Sequence, residues 1–367
     1  MEKYKNLIRE AITGLTPYIP GKPIEMVERE LGIKNTIKLA SNETALGPSP
    51  MALEAMQQEL MNVNYYPEDS SLYLREKVAS KLKIHADMLV VSNGAHNVIW
   101  LVGQTFINEG DEVLMADLTF PSYDTITRMM GGVPIKVPLR NFANDLEEMK
   151  NLITKKTKLI FLCNPNNPTG AINTRTEFEN FINQIPKNII IVMDEAYFDF
   201  VDDPQFPNSL DYINEDNPII GLRTFSKISG LAGIRVGYSI TNLELTSYLR
   251  RVVEPFPTSR LAQVAALAAI DDEKHYAEVV NLNSSGKAYY YQEFEKMGLR
   301  YVPSQANFVF VEVGKNVKTV FQKMMEKGII IRPTMAWKEG KAIRITIGLP
   351  QQNEACIKAL KEVLAEI

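Results

Sequence analysis

Short, unbroken apolar runs that stop at turn residues recur through the first two thirds of the chain. They are "MLVVSNGA" near residue 88, "DEVLMAD" near 111, "VPIKVPL" near 133, "KLIFLCNP" near 158, "NIIIVMDEA" near 188, "PIIGLRTFSK" near 218 and "GIRVGYSI" near 233. Continuous rather than alternating runs are what strands covered on both faces look like. Helical patterns such as "NVIWLVGQTFI" and "EFENFINQI" lie between several of them. The order of elements therefore reads as α/β with a mainly parallel central sheet.

Beyond about residue 260 the pattern changes. A long helical region, "LAQVAALAAIDDEKHYAEVVNLNSSGKAYYYQEFEKMG", is followed by strand-like "ANFVFVEV", a helix "VKTVFQKMMEKG", strand-like "AIRITIG" and a last helix "NEACIKALKEVLAEI". This reads as a smaller α+β domain. The expected organisation is an N-terminal segment, 1–44, that joins the small domain, a large domain over 45–260 and a small C-terminal domain over 261–367. A chain of 367 residues, 45% hydrophobic and 23% charged, is long enough for both.

Charge and cysteine usage narrow the classes of function. A formal charge of −4 and scattered Lys and Arg argue against a nucleic-acid partner. The N-terminal "MEKYKNLIREAITGL" lacks a signal-peptide apolar region, and no apolar run approaches the roughly 18 residues of a membrane span, so a cytoplasmic protein without a membrane partner is expected. Cys163 and Cys356 show no ligand spacing, Cys163 reads as a core thiol, and His85, His96 and His275 are far apart in sequence. No metal site is expected.

In open α/β sheets, ligands gather where strands deliver their carboxyl ends. Four such ends carry polar residues. "VVSNGAHN" runs from strand through Asn93-Gly94 into a helix start, so the amides near Ala95 and His96 suit an anion. "LIFLCNPNNPTG" ends a strand in two Asn-Pro pairs whose fixed path points Asn167 in a definite direction. "VMDEAY" puts Asp194 directly after an apolar strand, with Tyr197 three residues on. "RTFSKISGLAGIR" supplies Thr224, Ser226, Lys227 and then Arg235, with glycines that allow a tight path between the last two.

Taken singly, Asp194 could be a helix cap and Lys227 a solvated lysine. Together, a carboxylate for a pyridinium nitrogen, a lysine for an imine, and a phosphate cup of helix amides, hydroxyls and one arginine are what pyridoxal phosphate requires. Desolvation and a nearby cation such as Arg235 would help Lys227 lose its ammonium charge.

These residues resemble the fold type I pyridoxal-phosphate aminotransferases, and within them the histidinol-phosphate aminotransferase group. The resemblance runs from "LASNETALGPSP" through "NYYPE", "SNGAHN", "LTFPSY", "NPNNPTG", "DEAY", "TFSKISGLAGIRVGY" and "ANFVFVEV" to "IIIRPTMAWKEGKAIRITIG". Intervals of 27 residues from Asn167 to Asp194, 33 to Lys227 and 8 to Arg235 fit as well. The resemblance implies that pyridoxal 5'-phosphate is bound by the large domain, with Lys227 as the Schiff-base lysine and Asp194 on the ring nitrogen. Asn167 and Tyr197 would meet the phenolic oxygen, and Thr224, Ser226, Arg235 and the amides of Ala95 and His96 the phosphate. Phe120 would stack on the pyridine with Tyr123 close by, and Tyr66 would reach the partner's cofactor phosphate across a homodimer interface.

The resemblance also implies an amino donor and a 2-oxo acid acceptor as substrates. Arg344 matches the arginine that takes a substrate carboxylate, and Arg332 one that helps hold the phosphate of histidinol phosphate. Aromatic amino acids, received by Phe120, Tyr123 and Trp337, and a threonine-phosphate decarboxylase-like reaction are the alternatives. The chain departs from the family pattern at His96-Asn97, where an acidic pair is usual, at Ile228-Ser229 and at Thr44-Ala45.

Overall fold

The computed structural model describes residues 4–17, 21–335 and 340–367. Its strands, in chain order, are β1 Ile37–Lys38, β2 Leu89–Ser92, β3 Glu112–Ala116, β4 Val133–Val137, β5 Thr157–Cys163, β6 Ile190–Asp194, β7 Ile219–Thr224, β8 Gly237–Ile240, β9 Arg300–Val302, β10 Phe308–Glu312, β11 Ile329–Ile330, β12 Arg332–Thr334 and β13 Ala342–Thr346. The large sheet has the order β2-β8-β7-β6-β5-β3-β4, and only β8 runs antiparallel to its neighbours.

Successive residues of each central strand face opposite layers. Phe161 and Val192 pack beneath the helices Ala95–Phe106, Ser122–Met129 and Leu243–Leu249. Ile160 and Ile191, their neighbours in sequence, pack beneath Leu146–Asn151 and Arg175–Ile182. Burial on both faces is why the runs are continuously apolar. At the sheet's edge the logic relaxes: β4 carries Pro134, which a strand paired on one side tolerates, and Val133 is 45% exposed. A buried ion pair ties β6 to β7. Glu195 accepts from Arg223 Nε at 2.9 Å, from the Ser209 amide at 2.6 Å and from Ser209 Oγ at 2.8 Å.

The long helical region past residue 260 is two helices, Arg260–Asp271 and Glu273–Lys296. Asp272 separates them, accepting from the His275 amide at 3.2 Å and from Ser49 Oγ at 2.6 Å. Ala262, Ala265 and Ala266 of the first helix pack with Ala52, Leu74, Val78 and Val91, on the flank of the large sheet. The first helix therefore packs on the large sheet, although the sequence pattern places it in the segment 261–367.

A second layer begins at the longer helix. The antiparallel sheet β12-β13-β10-β9 presents Val309, Val311, Ile343 and Ile345 to the helices Glu273–Lys296, Val317–Glu326 and Pro350–Glu366. The N-terminal β1 pairs in parallel with β11, and Val27 packs with Met325 and Ile330. Among the described residues no helix is long and apolar enough to cross a membrane.

Candidate active site

The carboxyl ends of β2, β5, β6 and β7 open on one edge of the large sheet, and the polar residues converge there. Asp194, the last residue of β6, is 5% exposed. Tyr123 donates its hydroxyl to Asp194 Oδ2 at 2.6 Å and the Ala196 amide donates to Oδ1 at 3.1 Å. Burial raises the carboxyl's pKa despite these two donors. Burial and Asp194 itself push the Tyr123 phenol well up, so it remains a donor.

Tyr123, which the sequence suggested as part of an apolar pocket for an aromatic donor, packs inward in the structure. The ring is fully buried, stacked on Phe161 at 4.5 Å and edge-on to Phe120 at 5.8 Å. Its place is behind Asp194, holding the carboxylate. Phe120, half-buried, stands in front of it and meets His96 edge-on at 5.9 Å.

Asn167 leaves the Asn-Pro turn with both amide atoms engaged. Its Nδ2 donates to Tyr197 Oη at 3.1 Å, and its Oδ1 accepts from Arg344 Nη1 at 2.6 Å. The other asparagines of the turn fix its path: Asn164 Oδ1 accepts from the Asn173 amide at 2.9 Å, and Asn166 Oδ1 from Thr119 Oγ1 at 2.9 Å. Tyr197 Oη also accepts from Asn42 Nδ2 at 2.8 Å, which leaves its own hydrogen to be donated. Burial raises this phenol's pKa, so the hydrogen stays on.

Asn42 was not singled out from the sequence. The usable signal was the "SNET" turn, where Asn42 adopts φ of 56°, a left-handed conformation that asparagine tolerates better than most residues. It belongs to a short N-terminal stretch clasped by the site. Arg344 Nη2 donates to the Ala40 carbonyl at 2.5 Å, Lys227 Nζ to the Ser41 carbonyl at 3.3 Å, and Asn307 Nδ2 to the Asn42 carbonyl at 2.9 Å.

Lys227 is half-buried, with Nζ 5.8 Å from the centre of the Tyr197 ring. Desolvation, then the positive charges of Arg344 and Arg235, bring its pKa down to about 8, against the opposing pull of Glu43 and Asp194.

The start of the helix Ala95–Phe106 lies beside the Arg235 guanidinium. Its N-cap, Gly94, has φ of 84°, and no side chain caps the first amides. A Cβ at Gly94 would fall 2.6 Å from Arg235 Nη2, and one at Gly237 would fall 2.4 Å from the Ala95 nitrogen. Glycine at these two positions lets a guanidinium and a helix start share one concavity. Thr224 and Ser226 are buried at the adjoining end of β7, and the Ser226 amide donates to Thr224 Oγ1 at 3.0 Å. The tight path after Lys227 lies at Gly230, with φ of 67°, where a Cβ would fall 2.3 Å from the Gly47 carbonyl oxygen. Gly233 has open space around it, and Arg235 itself takes φ of 64°.

Arg332 of β12 is directly opposite Arg344 of β13 in the antiparallel ladder, so both side chains project from one face of the small sheet. Tyr66 is not brought to the site within this chain: it is 77% exposed and stacked on Phe256 at 4.5 Å. Trp337 lies outside the described residues.

A buried carboxylate, a phenol with a hydrogen to give, a lysine of lowered basicity and an uncapped helix start beside an arginine lie along one strand edge. The family model for class I and II aminotransferases matches residues 34–360. The chain belongs to this family. It is 47% identical over 358 residues to the histidinol-phosphate aminotransferase of Moorella thermoacetica, covering 97% of this chain and 93% of that protein. It is 44% identical over 358 residues to the histidinol-phosphate aminotransferase of Caldicellulosiruptor saccharolyticus, covering 98% and 100%. Among solved structures it resembles histidinol-phosphate aminotransferase from Sinorhizobium meliloti in complex with pyridoxal-5'-phosphate, with a TM-score of 0.91, 25% identity and 98% of each chain covered.

The electrostatics of the aminotransferase site give a titration that can be measured directly. In the cofactor-free protein, reductive ¹³C-methylation followed by NMR is expected to show Lys227 gaining its proton only as the pH falls through about 8. Arg344→Gln should move that midpoint upward and Glu43→Gln downward. A midpoint in the ordinary lysine range, near 10.4, would contradict the assignment.

Proposed function

We propose that this aminotransferase takes pyridoxal 5'-phosphate as cofactor and moves the amino group between histidinol phosphate and 2-oxoglutarate, giving imidazole acetol phosphate and glutamate. The observation that carries the substrate reading is the pairing of Arg332 with Arg344 across β12 and β13. Two guanidinium positions on one face can receive a dianionic phosphate in one half-reaction and the carboxylate of glutamate in the other. The relatives named above, identical at 47% and 44% over almost the whole chain, support the same substrate.

The residues present fit the cofactor. The uncapped helix start, Arg235, Thr224 and Ser226 would hold its phosphate, Phe120 would cover one face of its ring, and Asp194 would meet the ring nitrogen. When bound, pyridoxal phosphate supplies an electron sink for the α-carbon of an amino substrate. Asp194, desolvated and fixed by Tyr123, would favour a proton on the ring nitrogen, because a buried carboxylate is stabilised by an adjacent positive charge. Tyr197, with Asn42 and Asn167 already donating to its oxygen, has one hydrogen left, which it would donate to the phenolic oxygen. Lys227 Nζ, lowered toward neutrality, would be able to accept and return a proton at the substrate α-carbon. Arg344 joins substrate to site: its Nη1 is bonded to Asn167, so a carboxylate that engages the guanidinium also bears on the amide that sets Tyr197.

The same reading includes a homodimer. Met61, Val63, Tyr65, Tyr66 and Tyr73 are 87%, 57%, 66%, 77% and 64% exposed, an apolar group on one stretch of chain that a second copy would cover. Tyr66 would then serve the partner's phosphate site.

Two measurements test these proposals. With histidinol phosphate, phenylalanine and tyrosine as donors, Arg332→Ala should lower kcat/KM for histidinol phosphate selectively, by roughly ten- to a hundredfold, as loss of a charge-assisted contact implies. Equal losses on all three donors, or no histidinol-phosphate turnover by the wild type, would overturn the substrate reading. Sedimentation equilibrium should give twice the 41.4 kDa chain mass. A monomer that is fully active at the same concentration would overturn the dimer.

A further inference from the structure

His96 contributes a side chain as well as a backbone amide at the helix start. One turn along the helix, Trp100 donates its Nε1–H to His96 Nε2 at 3.2 Å. A neutral imidazole whose Nε2 accepts must carry its proton on Nδ1. Partial burial and the nearby Arg235 charge disfavour a second proton, so the neutral form prevails near pH 7. Among the described residues, none accepts a hydrogen bond from Nδ1.

The surroundings of the ring give that donor a direction. Helix side chains lean toward the N-terminus, which for the second residue of this helix is the side of Gly94 and Arg235. Trp100 holds the imidazole edge-on at 6.2 Å and 75°, and Phe120 meets it edge-on at 5.9 Å and 80°. The first turn holds no acidic residue that would compete for the hydrogen.

We propose that the His96 imidazole is a further phosphate ligand of the cofactor site, its Nδ1–H donating to the phosphate seated at the helix start and its tautomer fixed by Trp100. This rests on the phosphate seat assigned above. The indole is a positioning residue, since it acts only through the imidazole.

Binding to the cofactor-free protein tests this without any turnover. Equilibrium dialysis with pyridoxal 5'-phosphate and with pyridoxal, which lacks the phosphate, gives a ratio of Kd values that isolates the phosphate contacts. His96→Phe keeps an edge for Phe120 but no donor, and should shrink that ratio by roughly tenfold, the scale of one hydrogen bond to a charged group. His96→Asn retains an N–H near the Nδ1 position and should stay within about threefold of wild type. Trp100→Phe should fall between the two, with the ³¹P resonance of the bound cofactor shifted from its wild-type position. If His96→Phe weakens both ligands equally, the ring only braces Phe120 and the proposal fails. If the ratio is unchanged in His96→Phe, it also fails. A wild-type protein that binds both ligands alike would overturn the phosphate seat itself, and the proposal with it.

Discussion

The hydrogen bond from Tyr123 to Asp194 is the constraint on which the site depends. A carboxylate at the end of a central strand, enclosed on all sides, is costly to keep there unless its oxygens are satisfied. Tyr123 occupies one oxygen and the Ala196 amide the other. Because Tyr123 is stacked on Phe161 of β5, the orientation of the carboxylate is set by the packing of the sheet's core and not by a mobile loop. The buried Glu195–Arg223 pair, one residue further on, ties the same turn to β7, the strand that leads to Lys227. Carboxylate and lysine are therefore registered against each other through two adjacent strands.

The second organising feature is the clasp on residues 40–42. Three consecutive residues give their carbonyls to Arg344, Lys227 and Asn307, while the Asn42 side chain reaches Tyr197. Lys227 and Tyr197 belong to the large sheet's edge, whereas Arg344 and Asn307 belong to the C-terminal layer. The N-terminal stretch thus connects both parts of the chain at the reacting centre. A guanidinium that holds Ala40 and Asn167 together couples the two, and under the proposed substrate reading a carboxylate on Arg344 would reach the groups around Tyr197 through it.

Much of this arrangement was legible because strand ends in an open sheet are forced to converge. "VMDEAY" and "NPNNPTG" follow neighbouring parallel strands, so Asp194 and Asn167 had to emerge side by side. The part that was not legible depends on long-range contacts with no local period. Tyr123 reads as an ordinary aromatic in "TFPSY", and only the packing of its helix on β5 shows that it faces Asp194 from within. Asn42 is 155 residues from the tyrosine it supports, and no spacing rule links them. The break at Asp272 is hidden because the polar run "DDEKH" is one that the exposed face of a continuous helix could also carry, and the bond to Ser49 that stabilises the break lies far away in sequence. Gly233 shows the opposite case: a glycine two residues before Arg235 suggests a constrained backbone, but the constraint is at Gly230.

On the proposed reading, Asp194, fixed by Tyr123, would decide the protonation of the ring nitrogen bound in front of it. Nitrogen-15 NMR of the protein loaded with cofactor labelled at the ring nitrogen measures this directly. A protonated ring nitrogen is expected in the wild type at pH 8, with a clear loss of protonation in Asp194→Asn and an intermediate state in Tyr123→Phe. An unprotonated nitrogen in the wild type, or one protonated to the same degree in all three proteins, would contradict it.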